Sequence, residues 1–258
     1  AATSARPMRK TGSCTDFMMQ RLDKLVAKIQ LISRKEAREL IKSGQVALDG
    51  CVCTDAGAQV RDTAEITIGG TPKRYTPFVY IMLHKPEGVI SASSGKSGET
   101  TVTDLLPGDV RRPGLFPAGR LDKATTGFCL LTDDGAFAHR ILSPRSHVAK
   151  TYEARLDKPF DDETARDFAA GMTLNGQKLL AAELAPCPDR LHPQVVLRQG
   201  LYHQVRRMFQ KHGMTVLELK RTKIGPVALD PALAPGQWRE MTAEEVAALN
   251  AAVQKQQK

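Results

Sequence analysis

Residues 69–77 read GGTPKRYTP. Two glycines and two prolines in so short a stretch interrupt both helical and strand periodicity. The stretch predicts a linker, and a chain divided there must fold as two modules, a small one before it and a large one after. The expected boundaries are a flexible N-terminus over 1–18, a small domain over 19–68, the linker over 69–77, a large domain over 78–241, and a C-terminal helix and tail over 242–258. Charge is shared unevenly. Residues 1–75 carry 13 Lys and Arg against 8 Asp and Glu, while the remainder carries 24 against 20 over more than twice the length. A net charge of +9 makes phosphate-rich partners as good an expectation as a merely basic surface. A hydrophobic content of 41% suffices for a packed core without disulfides.

The five cysteines (Cys14, Cys51, Cys53, Cys129 and Cys187) are scattered, with one C-x-C and no second pair. That spacing does not suit a zinc site, so no metal is expected, and free thiols of a reducing cytoplasm are the better reading. No run approaches the ~18 apolar residues of a membrane span. The opening residues AATSARPMRKTGSCTDF lack the apolar centre of a secretory signal and read either as a flexible lead-in or as partly a non-native remnant.

In the small module, Leu22, Leu25, Val26 and Ile29 recur at helical spacing. Ser33 with Glu36 three residues on is a capping box for a second helix, whose apolar side is Ala37, Leu40 and Ile41. VALDGCVCTDAGAQV then reads as two short strands about an Asp-Gly turn. Arg34, Lys35, Arg38 and Lys42 are the polar residues of the second helix. Their bland reading is a solvated face, but such a cluster at a capped helix start favours phosphate contact. Beyond residue 78, strand-like segments (FVYIMLHK, GFCLLT, TYEARL, QVVLRQ, MTVLELKRTKI) mix irregularly with helical ones (GAFAHRIL, DDETARDFAAGM, YHQVRRMFQKHG), and TVTDLL suggests a further short element. This predicts an α+β domain with a mixed, mostly antiparallel sheet.

Three carboxylates stand in GRLDKATTGFCLLTDDG, residues 119–135. Asp133 and Asp134 precede a glycine and a helical pattern, which favours a turn and helix cap. Asp122 lies in a polar loop before an apolar strand; a turn carboxylate and a functional one are equally good readings there. In GLYHQVRRMF, Arg206 and Arg207 stand at a helix start, where cations oppose the helix dipole, so a nearby carboxylate or phosphate is implied. Tyr152, early in a strand, is on periodicity alone an edge-strand aromatic.

The small module resembles the alpha-L RNA-binding module of ribosomal and RNA-modifying proteins. The resemblance rests on Arg21-Leu22-Asp23, Ser33-Arg34 with Ala37, and Ile41 through Gly44-Gln45-Val46 to Asp49-Gly50, with Asp49 where that family usually has Asn. GRLDKATTGFCLLTDDG, HKPEGV, SPRSHVAKTYEA and GLYHQVRRMFQKHG, in this chain's arrangement behind such a module, are similar to the bacterial ribosomal RNA pseudouridine synthases, over residues 21–241. KTYEARLDKPFDDETARDFAAGM is most similar to the branch that modifies one uridine of 16S rRNA. The resemblance implies isomerisation of uridine to pseudouridine without metal or organic cofactor. It implies Asp122 as the essential carboxylate, Arg207 or its neighbour Arg206 as its partner, Tyr152 stacked on the target base and available for proton removal, and Arg120 filling the vacated place or gripping phosphate. It also implies a monomer whose partner is ribosomal RNA, free or in a partly assembled small subunit. The rivals are action on 23S rRNA, a glycosidase-like hydrolase using Asp122 with Asp133 or Asp134, and a non-catalytic ribosome-assembly factor.

Overall fold

The computed structural model describes residues 19–61, 64–73, 76–143, 146, 148–185 and 187–254; Cys14 and the expected N-terminal lead-in lie outside them. The chain divides into two compact units, Ala1–Pro77 and Phe78–Lys258.

The first unit runs β1 (Met19–Arg21), α1 (Leu22–Gln30), α2 (Arg34–Lys42), β2 (Val46–Leu48), β3 (Cys51–Val52), β4 (Gln59–Arg61), β5 (Ile66–Ile68) and β6 (Thr71–Lys73). Strands β3-β2-β5-β6 form an antiparallel sheet, and β1 pairs with β4. The capping box forms as expected: Glu36 N donates to Ser33 Oγ at 3.3 Å and Ser33 N to Glu36 Oε2 at 2.7 Å. Leu22, Leu25, Val26, Ala37 and Ile41 are buried together with Val46, Val60 and Ile66, so both helices lay their apolar stripe on the strands. Asp49 and Gly50, at φ 48° and 82°, make the β2–β3 turn, in which both central residues need positive φ. The Gly69-Gly70 break is likewise a two-residue hairpin turn, and Thr71–Lys73, within the stretch read as linker, pairs with β5 as an edge strand. Pro72 is tolerated there because an edge strand can spare one donor.

The second unit contains β7 (Tyr80–Lys85), β8 (Phe116–Pro117), β9 (Thr126–Thr132), α3 (Gly135–Leu142), β10 (Lys150–Leu156), α4 (Asp162–Ala170), β11 (Thr173–Leu174), β12 (Gln177–Lys178), β13 (Glu183–Ala185), β14 (Gln194–Leu197), α5 (Gln204–Lys211), β15 (Val216–Ile224), β16 (Val227–Ala228), β17 (Trp238–Glu240) and α6 (Ala243–Gln254). Its nine-stranded sheet has the order β13-β14-β10-β15-β9-β7-β17, with β16 on β15 and β8 on β9. Pairing is antiparallel apart from β15 with β9, making an α+β unit on a mixed, mostly antiparallel sheet. The TVTDLL stretch forms turns and one bridge, Ile90 to Thr101, instead of a regular element. Asp104 Oδ2 draws both Thr101 N (2.9 Å) and Thr101 Oγ1 (2.7 Å) into a local turn that competes with extension. Among the described residues no helix is long and apolar enough to cross a membrane.

Strand β9 is covered on both faces, which explains its unbroken apolar run. Phe128 and Leu130 join Phe137 of α3 and Leu249 of α6. Cys129 and Leu131 join Leu83, Leu106 and Leu121 on the other face. A third cluster, around Phe168, Val195 and Phe209, seats α4 and α5 on the opposite end of the sheet. Where β9 runs beside β15, Gly127 is at φ 102°, and a Cβ there would lie 2.2 Å from the Arg221 carbonyl oxygen. Only glycine lets the two backbones come this close.

Candidate active site

The segment Gly119–Thr125 has no helix or strand, yet it is held along its length. Leu121 is buried in the core, and its N–H donates to Ser91 Oγ at 3.1 Å. The ammonium of Lys85, at the end of β7 and fully buried, donates to the carbonyls of Thr125 (2.8 Å), Pro86 (3.0 Å) and Lys123 (3.2 Å). Burial pulls the Lys85 pKa below its ordinary value, while the carboxylates of Asp122 and Glu87 act the other way. Arg221, buried on β15, donates from Nε to Phe128 O (2.7 Å) and from Nη2 to Gly119 O (2.9 Å). Arg206 reaches from α5 to Val216 O (2.6 Å) and Ala124 O (3.3 Å). A Thr125 N–H to Asp122 carbonyl bond of 3.0 Å closes the turn.

This segment forms one wall of a pocket of about 440 Å³ that opens to solvent. Arg120, Asp122 and Thr125 line it, with Tyr152 of β10, Leu219 of β15, and His203 and Gln204 at the start of α5. The hydroxyl of Thr125 is buried there without a hydrogen-bond partner. Asp122 is the carboxylate among these lining residues. Its side chain keeps 30% of its accessible surface, enough for a substrate to reach it.

The structure places the expected residues unequally. Asp122, Tyr152 and Arg120 share the pocket although they come from separate stretches of the chain. Arg207 does not meet Asp122; its Nη1 donates to the Tyr202 carbonyl at 3.4 Å. The helix explains this, because Val205, Met208 and Phe209 take the buried face of α5 and carry Arg207 round to the side. Arg206 touches the Asp122 segment instead, and does so through a backbone carbonyl. The group facing the carboxylate is His203, with Nε2 3.4 Å from Asp122 Oδ1. His203, Lys85 and Arg221 were not legible as site residues. HKPEGV and the histidine of GLYHQVRR were visible as motifs, but burial and direction belong to the fold.

In the small unit, Arg34 and Arg38 donate to the buried carboxylate of Asp23 at 2.8 and 2.9 Å, alongside Arg21 at 3.3 Å. Two of the four basic residues expected to contact phosphate are thus tied to an internal partner, and Lys35 and Lys42 are exposed. Asp133 and Asp134 have structural work. Asp134 Oδ1 caps α3 at Phe137 N (2.9 Å) and Oδ2 accepts from Tyr80 (2.8 Å), while Asp133 accepts from Val79 N (2.8 Å). They sit past the far end of seven-residue β9, about 20 Å along the strand from the Asp122 end. A paired-carboxylate hydrolase needs its two acids within ~10 Å, so that reading fails. Among the described residues no three His, Cys, Asp or Glu side chains come together as a metal would require, and Cys51, Cys53, Cys129 and Cys187 are free thiols.

Comparison with known proteins agrees with this geometry. Residues 79–211 match the RNA pseudouridylate synthase family, and residues 20–66 match the S4 domain. The chain is 44% identical over 235 residues to an RNA pseudouridine synthase of Bacillus subtilis, YtzG, covering 89% of this chain and 98% of that one. It is 39% identical over 236 residues to ribosomal small subunit pseudouridine synthase A of Escherichia coli K12, covering 89% and 99%. A crystal structure of a pseudouridylate synthase superposes with a TM-score of 0.63 at 34% identity, covering 89% of this chain and 99% of that one. An S4 domain ahead of a synthase domain, with a carboxylate-bearing pocket in the latter, places this chain in the RNA pseudouridylate synthase family.

Proposed function

We propose that the protein converts one uridine of 16S ribosomal RNA to pseudouridine, with Asp122 as the acting carboxylate. The observation that carries this is Asp122 in the wall of an open pocket that the aromatic side chain of Tyr152 also lines. The reaction breaks the N1–C1′ glycosidic bond, turns the base, joins C5 to C1′, and moves the C5 proton off as N1 gains one, so nothing is released. A carboxylate serves it either by attacking C1′ or by taking a ribose proton, and both routes require the ionised form. Tyr152 offers its ring face to a uridine that has left its own stack. We assign Arg206, which binds the Ala124 carbonyl beside Asp122, to holding this segment in place during turnover. Arg207 and Arg120 supply positive charge for phosphate. The small-subunit target is supported by the names of the relatives from Escherichia coli and Vibrio cholerae, the latter 37% identical. The substrate is the RNA itself or a partly assembled small subunit.

The test maps pseudouridines in 16S and 23S rRNA from cells with and without the protein. One 16S site should vanish, and Asp122→Asn should fail to restore it while still binding RNA. Loss of a 23S site would move the target, and normal pseudouridine formation by Asp122→Asn would overturn the assignment of the carboxylate.

A further inference from the structure

Tyr202 is 75% exposed, the most exposed of the large hydrophobic side chains among the described residues. It stands between Leu201 and His203, which both line the pocket, without lining it itself. Its ring lies flat on the imidazole of the next residue, with centroids 3.8 Å apart and planes 16° apart. His203 takes a left-handed backbone, φ 49°, which a non-glycine residue adopts at some cost. The turn is fixed at both ends. Leu201 N donates to Gln204 Oε1 at 3.0 Å, Gln204 N donates to Leu201 O at 3.2 Å, and Gln204 is buried. Arg207 holds the Tyr202 carbonyl. A rigid, strained turn therefore carries an aromatic ring into solvent with one face covered by His203. His203 is in turn 3.4 Å from Asp122.

We propose that the Tyr202–His203 pair is a stacking shelf for the nucleobase next to the target uridine in the RNA strand. The inference rests on the reading of Asp122 as the carboxylate that meets the target. When a nucleotide turns out of its stack, its neighbour loses an aromatic partner as well. The solvent-facing side of Tyr202 offers a replacement one ring removed from His203, at the rim of the pocket. Stacking of this kind accepts any base, so the shelf adds affinity and register without reading sequence. The guanidinium of Arg207 beside the same turn suits the phosphate that accompanies that base.

The experiment measures single-turnover pseudouridine formation on a 16S rRNA transcript against enzyme concentration, for the protein and its Tyr202→Phe and Tyr202→Ala variants. Tyr202→Ala should raise the half-saturating concentration about five- to a hundredfold, with Tyr202→Phe within about twofold of the parent and the maximal rate unchanged. An unchanged half-saturating concentration in Tyr202→Ala overturns the shelf. So does an equal loss in Tyr202→Phe, which would point to the hydroxyl, or a fall in maximal rate alone, which would make the ring a buttress for His203. Direct binding of the transcript at high salt, where phosphate contacts weaken, is compared for Asp122→Asn with and without Tyr202→Ala. If the parent forms no pseudouridine either in this transcript or in small-subunit particles assembled on it, the functional reading falls by itself, while the binding difference still judges the shelf.

Discussion

Lys150 and Asp23 are charged side chains withdrawn from water, and the fold treats them in opposite ways. Lys150 opens β10 with little exposed surface; burial, with the positive charge of Arg221 adding to it, pushes its pKa down to about 8. The unfolded chain keeps that proton to about pH 10.4. Between about pH 8 and 10 the unfolded state therefore binds more protons, and stability should rise with pH across that window. Lys150→Met should stabilise the protein at pH 7 by an amount on the order of 1–3 kcal/mol, seen as a higher melting temperature, and abolish the alkaline rise; melts from pH 6 to 10 check both. At Asp23, burial alone would raise the carboxyl's pKa, but hydrogen bonds from Arg21, Arg34 and Arg38 outweigh it and hold it well below the usual carboxylate range. Its folded pKa is depressed, so its contribution is complete above about pH 4 and is lost as pH falls from there. Asp23→Ala should destabilise the first unit by somewhat less than the ~3–5 kcal/mol of a fully buried pair, because its arginines are half exposed. Amide exchange of residues 19–61 at pH 7 and pH 3 would register both effects.

Among the elements, the parallel contact of β9 with β15 has no sequence signature. GFCLLT and MTVLELKRTKI read correctly as strands, but their adjacency depends on a glycine that periodicity treats as punctuation. Gly127→Ala must open the Arg221 backbone and hold an alanine at φ 102°. It should cost on the order of 3 kcal/mol or more and displace Arg221 from Gly119. Gly135→Ala, at the start of α3 with nothing near the added methyl group, should be neutral or gain up to ~1 kcal/mol. Urea denaturation of the two variants gives the contrast directly. The capping box of α2, the Asp-Gly turn and the cap at Asp134 were legible because each is settled within a few residues. The partner of Asp122 was not. Which of His203, Arg206 or Arg207 faces it depends on how α5 is rotated by Val205, Met208 and Phe209, and that is decided by the core beneath.

For the whole molecule, a small module ahead of a larger domain was legible, although the Gly69-Gly70 punctuation is a hairpin turn inside the first unit; the distribution of usable charge was not. The net charge of +9 counts Arg34 and Arg38 as fully as Lys35 and Lys42, although Asp23 neutralises part of the arginine cluster. Lys35→Ala with Lys42→Ala should reduce the slope of log K against log salt for RNA binding by up to ~0.7–0.9 per lost contact, without loss of stability. Arg34→Ala with Arg38→Ala should weaken binding too, but also loosen the unit around Asp23. Binding titrations across a salt series, read beside denaturation curves, separate the two.

The pinned segment Gly119–Thr125 bears on how the protein could be altered. Loops without secondary structure are ordinarily where a chain accepts added residues. Here the carbonyls of Gly119, Lys123, Ala124 and Thr125 are claimed by Arg221, Lys85 and Arg206, side chains rooted in two strands and a helix. One inserted residue would break this register as surely as an insertion within β9. The segment that carries Asp122 is an irregular piece of the core, and length variation among functional descendants of this chain should be absent from it.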